Sequence, residues 1–196
     1  MSIELKILNN SGLKKILVVG VFHGDEPQGE YFINEYLKLQ KENLKNSLYF
    51  IPRLNQNNAR TNKNGVDLNR NFPTKNWVKS NKDDYFGGDY PASEEETKFL
   101  VKLIEENKFD AIITIHAPYK IINYDGPAQG LADEISNILG YPVESDIGYP
   151  TPGSFGTYCG IERNIPTITI EIDENKAPKE LLGRFIELFD FLANKY

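Results

Sequence analysis

Residues 15–22, KILVVGVF, are too uniformly apolar for a strand that keeps one face in water. Such a run buries both faces, as strands do in parallel sheets covered by helices on either side. Related β-rich runs occur at 3–8 (IELKIL), 47–54 (SLYFIPRL), 109–116 (FDAIITIH), 120–125 (KIINYD) and 166–172 (PTITIEI). Between them, residues 26–42, 93–107, 128–139 and 177–193 space apolar side chains three and four apart with charges between, the period of an amphipathic helix. Ser93 followed by Glu96 predicts a capping box at the start of the second of these. Strands alternating with helices predict an α/β fold with a mixed, largely parallel central sheet and helices on both faces.

A chain of 196 residues buries roughly 70% of the surface its unfolded form exposes, enough for one core. No repeat, linker or low-complexity tract divides it, so residues 1–196 are expected to form one catalytic domain. Twenty-two basic against 28 acidic residues leave a net charge of −6, which argues against nucleic acid and against an anionic membrane as partners. The single cysteine, Cys159, has no partner for an internal disulfide and reads as a small buried thiol. The N-terminal stretch MSIELKILNNSGLKK has no apolar signal core, and no segment approaches the roughly 20 apolar residues that span a bilayer. A cytoplasmic location is the expectation. The sequence sets no oligomeric state.

Residues 55–92 break the alternating rhythm, being rich in Asn, Gly, Asp and Pro with almost no helical period. So long a loop in a compact domain is usually functional or disordered, and its Arg and Asn content favours function. Upstream of it, His23 closes an apolar strand and Glu26 follows three residues later, where a helix can begin. Imidazole and carboxylate together suit zinc, and a catalytic zinc takes three protein ligands. The chain has one other histidine, His116, again at the end of an apolar strand. Ligands gather outside the carboxyl ends of strands in open α/β sheets, so the two histidines are placed to converge. Each taken alone reads first as a satisfied polar residue, and it is the features that follow which turn the reading towards a ligand. Asp67 reads either as an Asx turn or as the carboxylate that orients a ligand histidine through its second ring nitrogen. Arg60 and Arg70 carry planar forks suited to carboxylates.

His23-Gly-Asp-Glu26, then Arg60, then Gly65-Val-Asp-Leu-Asn69-Arg70-Asn-Phe-Pro73, then His116, resemble in order and spacing the zinc metallocarboxypeptidase family. Residues 85–97, YFGGDYPASEEET, resemble another of its motifs, and TITIEI ends where the family carries its catalytic glutamate, here Glu171. The resemblance implies one zinc ion on His23, Glu26 and His116, and a terminal-carboxylate clamp made of Asn69 and Arg70. It makes Arg60 the oxyanion stabiliser and Glu171 the general base that activates a zinc-bound water and then protonates the leaving amine. A mobile substrate-contacting tyrosine is also implied. Tyr149 is preferred to Tyr158 because Pro150, Pro152 and Gly153 set it in a surface loop.

The loop GYPTPGSFG (148–156) and the segment IINYDGPA (121–128) look most like the bacterial murein peptide amidase branch of that family. That likeness implies a small cell-wall peptide as partner, cut at the γ-D-glutamyl–diaminopimelate bond. Glu162 is the acidic candidate for reading a basic group at the far end of the substrate. Two other readings compete: an N-acyl amino acid deacylase resembling succinylglutamate desuccinylase or aspartoacylase, and a non-catalytic module that holds peptide termini.

Overall fold

The computed structural model describes residues 3–196. Seven strands form one sheet: β1 (Lys6–Leu8), β2 (Lys15–Val19), β3 (Ser47–Ile51), β4 (Ala111–His116), β5 (Ile121–Asp125), β6 (Val143–Glu144) and β7 (Thr167–Glu171), in the spatial order β1-β3-β2-β4-β7-β5-β6. The central strands β3, β2, β4 and β7 run parallel. β1 joins β3 antiparallel at one edge, and β5 joins β7 antiparallel before β6 closes the other. This is the mixed, mostly parallel α/β sheet that the apolar runs predict.

Because neighbouring strand residues point to opposite faces, the fully buried strands feed two cores. Ile16 and Val18 of β2 join Phe32, Ile33 and Tyr36 of α1 (Gln28–Lys38), together with α3 (Gln129–Leu139) and α4 (Pro178–Asn194). Phe32 and Phe185 stack there with ring centroids 3.9 Å apart. Leu17 and Val19 face the other way, onto Leu100 and Leu103 of α2 (Glu95–Glu106) and onto Phe72, Phe155 and Tyr158. Helices thus cover both faces.

Several boundaries differ from the sequence reading. Pairing of β2 stops at Val19, and residues 20–22 leave the sheet to carry His23 outward. The first helix spans 28–38, not 26–42, which leaves Glu26 in the turn before it. The expected capping box at Ser93 is absent. α2 begins at Glu95 with Glu94 as N-cap and no side-chain cap bond. Asn71 claims this corner instead: its Oδ1 accepts from the Glu94 N–H at 3.2 Å and its Nδ2 donates to Ser93 Oγ at 3.0 Å. Residues 155–163 form a helical segment with a π turn at Thr157–Ile161 that sequence reading did not anticipate. Its glycines weaken any helical signal.

Residues 55–92 contain only one 3-10 turn, Leu68–Arg70. The loop is held by its own amides. Asn55 Nδ2 donates to the Arg60 carbonyl at 3.1 Å, Asn62 Oδ1 accepts from the Val66 N–H at 3.1 Å, and Asn71 Nδ2 donates to the Gly87 carbonyl at 2.7 Å. Side-chain amides here replace the ladder bonds that the backbone lacks.

Candidate metal centre and active site

The turn between β2 and α1 folds tightly because two glycines meet. A Cβ on Gly29 would lie 1.9 Å from the Gly20 carbonyl oxygen. With the Glu26 N–H donating to the His23 carbonyl at 3.1 Å, both side chains turn to the same end of the sheet. His116, the last residue of β4, reaches that end from the neighbouring strand. Glu26 sits between the imidazoles: its Oε1 is 2.9 Å from His23 Nδ1 and its Oε2 is 3.1 Å from His116 Nδ1.

Asp67 is fully buried below this group. Its carboxylate lies 3.1 Å from His23 Nε2 and accepts from Arg60 Nη2 at 2.9 Å and from the Asn69 N–H at 2.8 Å. It closes an Asx turn and faces the outer ring nitrogen of His23. Burial alone would raise the Asp67 carboxyl, but the hydrogen bond to His23 and the charges of His23, Arg60 and Arg70 outweigh it and hold it at about 2. Burial alone would likewise lower His23, yet its bonds to Asp67 and Glu26 lift it to about 9.

The donor set fits a metal. Two imidazole nitrogens and one carboxylate oxygen lie within 4.8 Å of one another, the ligand count of a catalytic zinc with a position left for water. With a metal bound, Asp67 would keep the proton of His23 on Nε2 and leave the Nδ1 lone pair to the ion. A buried cluster that lifts its own imidazole to hold a proton is also one that draws in a cation.

A cavity of about 140 Å³ opens beside these three residues. Arg60, Asn69, Arg70, Tyr149 and Glu171 all line it. Asn69 Oδ1 accepts from the Phe155 N–H at 2.8 Å, which fixes the amide and leaves its NH₂ as the spare donor. The buried Arg70 donates from Nη1 to the Asn69 carbonyl at 2.7 Å. The Arg60 guanidinium lies 4.7 Å from the Tyr85 ring centroid and is held by Asp67. Glu171 ends β7, and the parallel register sets it directly beside His116. Its Oε2 is buried without a hydrogen-bond partner. Burial raises its carboxyl and Glu26 adds to the rise, while His116 opposes it.

The two tyrosines separate cleanly. Tyr149 is 39% exposed and lines the cavity together with Tyr119, whereas Tyr158 is fully buried in the core beneath Arg163. Glu162 lies outside the cavity lining, and its Oε1 accepts from the Lys75 N–H at 2.6 Å. The expectation that it reads the substrate is therefore not supported by its position: it caps a loop. Asn123 and Asp125, which line the cavity, were missed. The signal was present in KIINYD, where polar residues two apart share one strand face.

The sequence profile described as zinc carboxypeptidase matches residues 3–137. The chain belongs to the zinc carboxypeptidase family and is a hydrolase of the zinc metallocarboxypeptidase type. Among curated proteins it is similar to murein peptide amidase A of Vibrio campbellii, 34% identical over 172 residues that cover 80% of this chain and 68% of the relative. It is 32% identical to murein peptide amidase A of Escherichia coli over 171 residues, 79% of this chain and 69% of that one. The crystal structure of the murein-tripeptide amidase from Escherichia coli O157 superposes with a TM-score of 0.81 at 27% identity, covering 95% of this chain and 83% of the other. Thrombin activatable fibrinolysis inhibitor shares the fold, with a TM-score of 0.79 at 16% identity over 97% of this chain and 65% of that one. No helix among the described residues is long and apolar enough to cross a membrane.

Proposed function

We propose that this chain releases the C-terminal diaminopimelate from small murein peptides by cutting the γ-D-glutamyl amide bond. One observation carries the reading: a partnerless carboxylate oxygen on Glu171 shares a single cavity with the His23, Glu26 and His116 cluster and with Asn69 and Arg70. The likeness to two murein peptide amidases narrows the substrate.

Zinc, when bound by His23, Glu26 and His116, supplies a Lewis acid and an acidified water. Arg70 and the Asn69 amide take the terminal carboxylate of the substrate and fix which bond lies over the metal end of the cavity. Glu171 Oε2 receives the proton of the attacking water and delivers it to the departing nitrogen. Arg60, fixed in advance by Asp67, offers its guanidinium to the carbonyl oxygen as negative charge builds. Tyr149 closes over the bound residue from the mouth. Residues 1–196 act as one catalytic domain, in a cytoplasmic pathway of cell-wall peptide recycling.

The test is the tripeptide L-Ala-γ-D-Glu-meso-diaminopimelate, incubated with zinc-loaded protein with and without chelator. Chelator-sensitive release of diaminopimelate supports the reading. An intact tripeptide alongside cleavage of peptides with apolar C-terminal residues rejects the murein substrate. Release of acyl groups from N-acyl amino acids without peptide cleavage points to a deacylase.

A further inference from the structure

Arg60 reaches the cavity from the long loop 55–92. Among the described residues its guanidinium makes a single hydrogen bond, from Nη2 to Asp67 Oδ2 at 2.9 Å. Nη1 lies 4.0 Å from Glu26 Oε1, on the side of the metal cluster, and Nε is buried without a hydrogen-bond partner. One bond at one nitrogen fixes a point and leaves the planar group free to turn about it. Another contact has to set the plane.

The ring of Tyr85 is placed to do so. Arg60 Cζ stands over it, 4.7 Å from the centroid and within reach of cation–π attraction. Tyr85 is 53% exposed and belongs to neither hydrophobic core, so core packing does not account for its place. Its backbone is nonetheless pinned. The Tyr85 N–H donates to Asp83 Oδ1 at 2.8 Å, while Ser80 Oγ donates to the Tyr85 carbonyl at 3.3 Å and accepts from the Gly87 N–H at 3.1 Å. The carbonyl of the next residue, the buried Phe86, accepts from the Asp67 N–H at 2.8 Å. A backbone bond therefore joins the two segments that hold Arg60, one at the edge of the guanidinium and one at its face.

We propose that Tyr85 is the positioning residue of Arg60: its ring fixes the plane of the guanidinium, so that Nη1 stays turned to the metal end of the cavity, where the substrate carbonyl gains negative charge. This rests on the peptidase reading above and deepens it. A donor oriented before the reaction stabilises the transition state fully, whereas one that must be oriented during it loses part of that gain. The attraction belongs to the ring face, so the phenolic hydroxyl plays no part.

The experiment follows zinc-loaded wild type, Tyr85→Phe and Tyr85→Leu on the murein tripeptide, each also combined with Arg60→Ala. Tyr85→Leu is expected to lower kcat about tenfold with KM nearly unchanged, and Tyr85→Phe to keep the wild-type rate. With Arg60 already removed, the change to leucine should cost nothing further. Proton–nitrogen correlation spectra of arginine-labelled protein accompany the kinetics, the Arg60 signal being the one that Arg60→Ala removes. Its guanidinium protons are expected upfield under the ring current in wild type and Tyr85→Phe, and at ordinary positions in Tyr85→Leu. A Tyr85→Leu that keeps its kcat overturns the proposal, as does an equal loss with and without Arg60. A raised KM at constant kcat overturns it too, because Tyr85 then touches the substrate itself. If only peptides with apolar C-terminal residues are cut, the murein substrate is lost and the same comparison on those peptides tests Tyr85. Should no peptide be hydrolysed, the peptidase reading fails, and an Arg60 signal indifferent to the loss of the ring would still sink the pairing.

Discussion

Replacing Glu171 by glutamine keeps the shape of the side chain and removes its capacity to take a proton. Turnover is expected to fall by about 10²–10⁴-fold, while zinc content, measured by mass spectrometry, stays at one equivalent. Turnover at the wild-type rate would dismiss Glu171 as the base. Asp67 acts one step further out. In zinc-free protein its depressed pKa stabilises the fold above pH ~4, where the unfolded carboxyl is also ionised, and that contribution is lost as pH falls towards about 2. The shift corresponds to on the order of 2 kcal/mol. Urea midpoints for Asp67→Asn should therefore depend less on pH across this window than those of the wild type, and zinc affinity should drop about 10–100-fold. His23 and His116 were legible in sequence because histidine is scarce here and each closes an apolar run, and Glu26 because it follows His23 by three residues. Asn123 and Asp125 carried a fainter signal, two polar residues on one face of a strand, and their place on the cavity wall is set by the antiparallel pairing of β5 with β7.

α1 is held against its neighbours by contacts of very different tolerance. At its start, Gly29 lies flush against Gly20, and both nearest atoms of an added Cβ belong to backbone that has nowhere to go. Gly29→Ala should cost about 3 kcal/mol and displace the turn bearing His23 and Glu26, with zinc affinity falling alongside the melting temperature. Unchanged zinc affinity would show that turn to be independent of the helix. At its other end, the Tyr36 hydroxyl donates to Asp190 Oδ1 of α4 at 2.9 Å. Tyr36→Phe should lose about 1–2 kcal/mol. Burial and the neighbouring Asp190 both raise the phenol. The folded state therefore favours the protonated form, and this stability is full below pH ~10 and disappears as pH climbs beyond it. A wild-type and Tyr36→Phe difference that persisted unchanged above that pH would contradict the assignment. Apolar period and strand uniformity exposed all four helices and six of the seven strands in the sequence. β6, with two residues, is too short to carry a period, and the segment 155–163 is helical through packing against β5 more than through propensity.

On the scale of the whole molecule, the bond between His23 and Asp67 ties the metal cluster to a loop otherwise held by asparagine amides. Zinc at about a thousandfold above its dissociation constant contributes about 4 kcal/mol to a fold that binds it only when native. For a chain of this size that amounts to a rise in melting temperature of about 8–16 °C, reversed by chelator. A melting curve indifferent to zinc would mean that these side chains do not form a native site. The pairing of His116 with Glu171 carries a consequence of another kind. β7 is the final strand in chain order. On the proposed mechanism, a ribosome that has delivered residues as far as 160 has supplied every ligand and both clamp residues, but no base. Slippage of β7 by a single residue would turn Glu171 to the opposite face. With Glu171 as the base, hydrolysis would be withheld from nascent and misregistered chains alike, and the first turnover would certify that the sheet has been completed in frame.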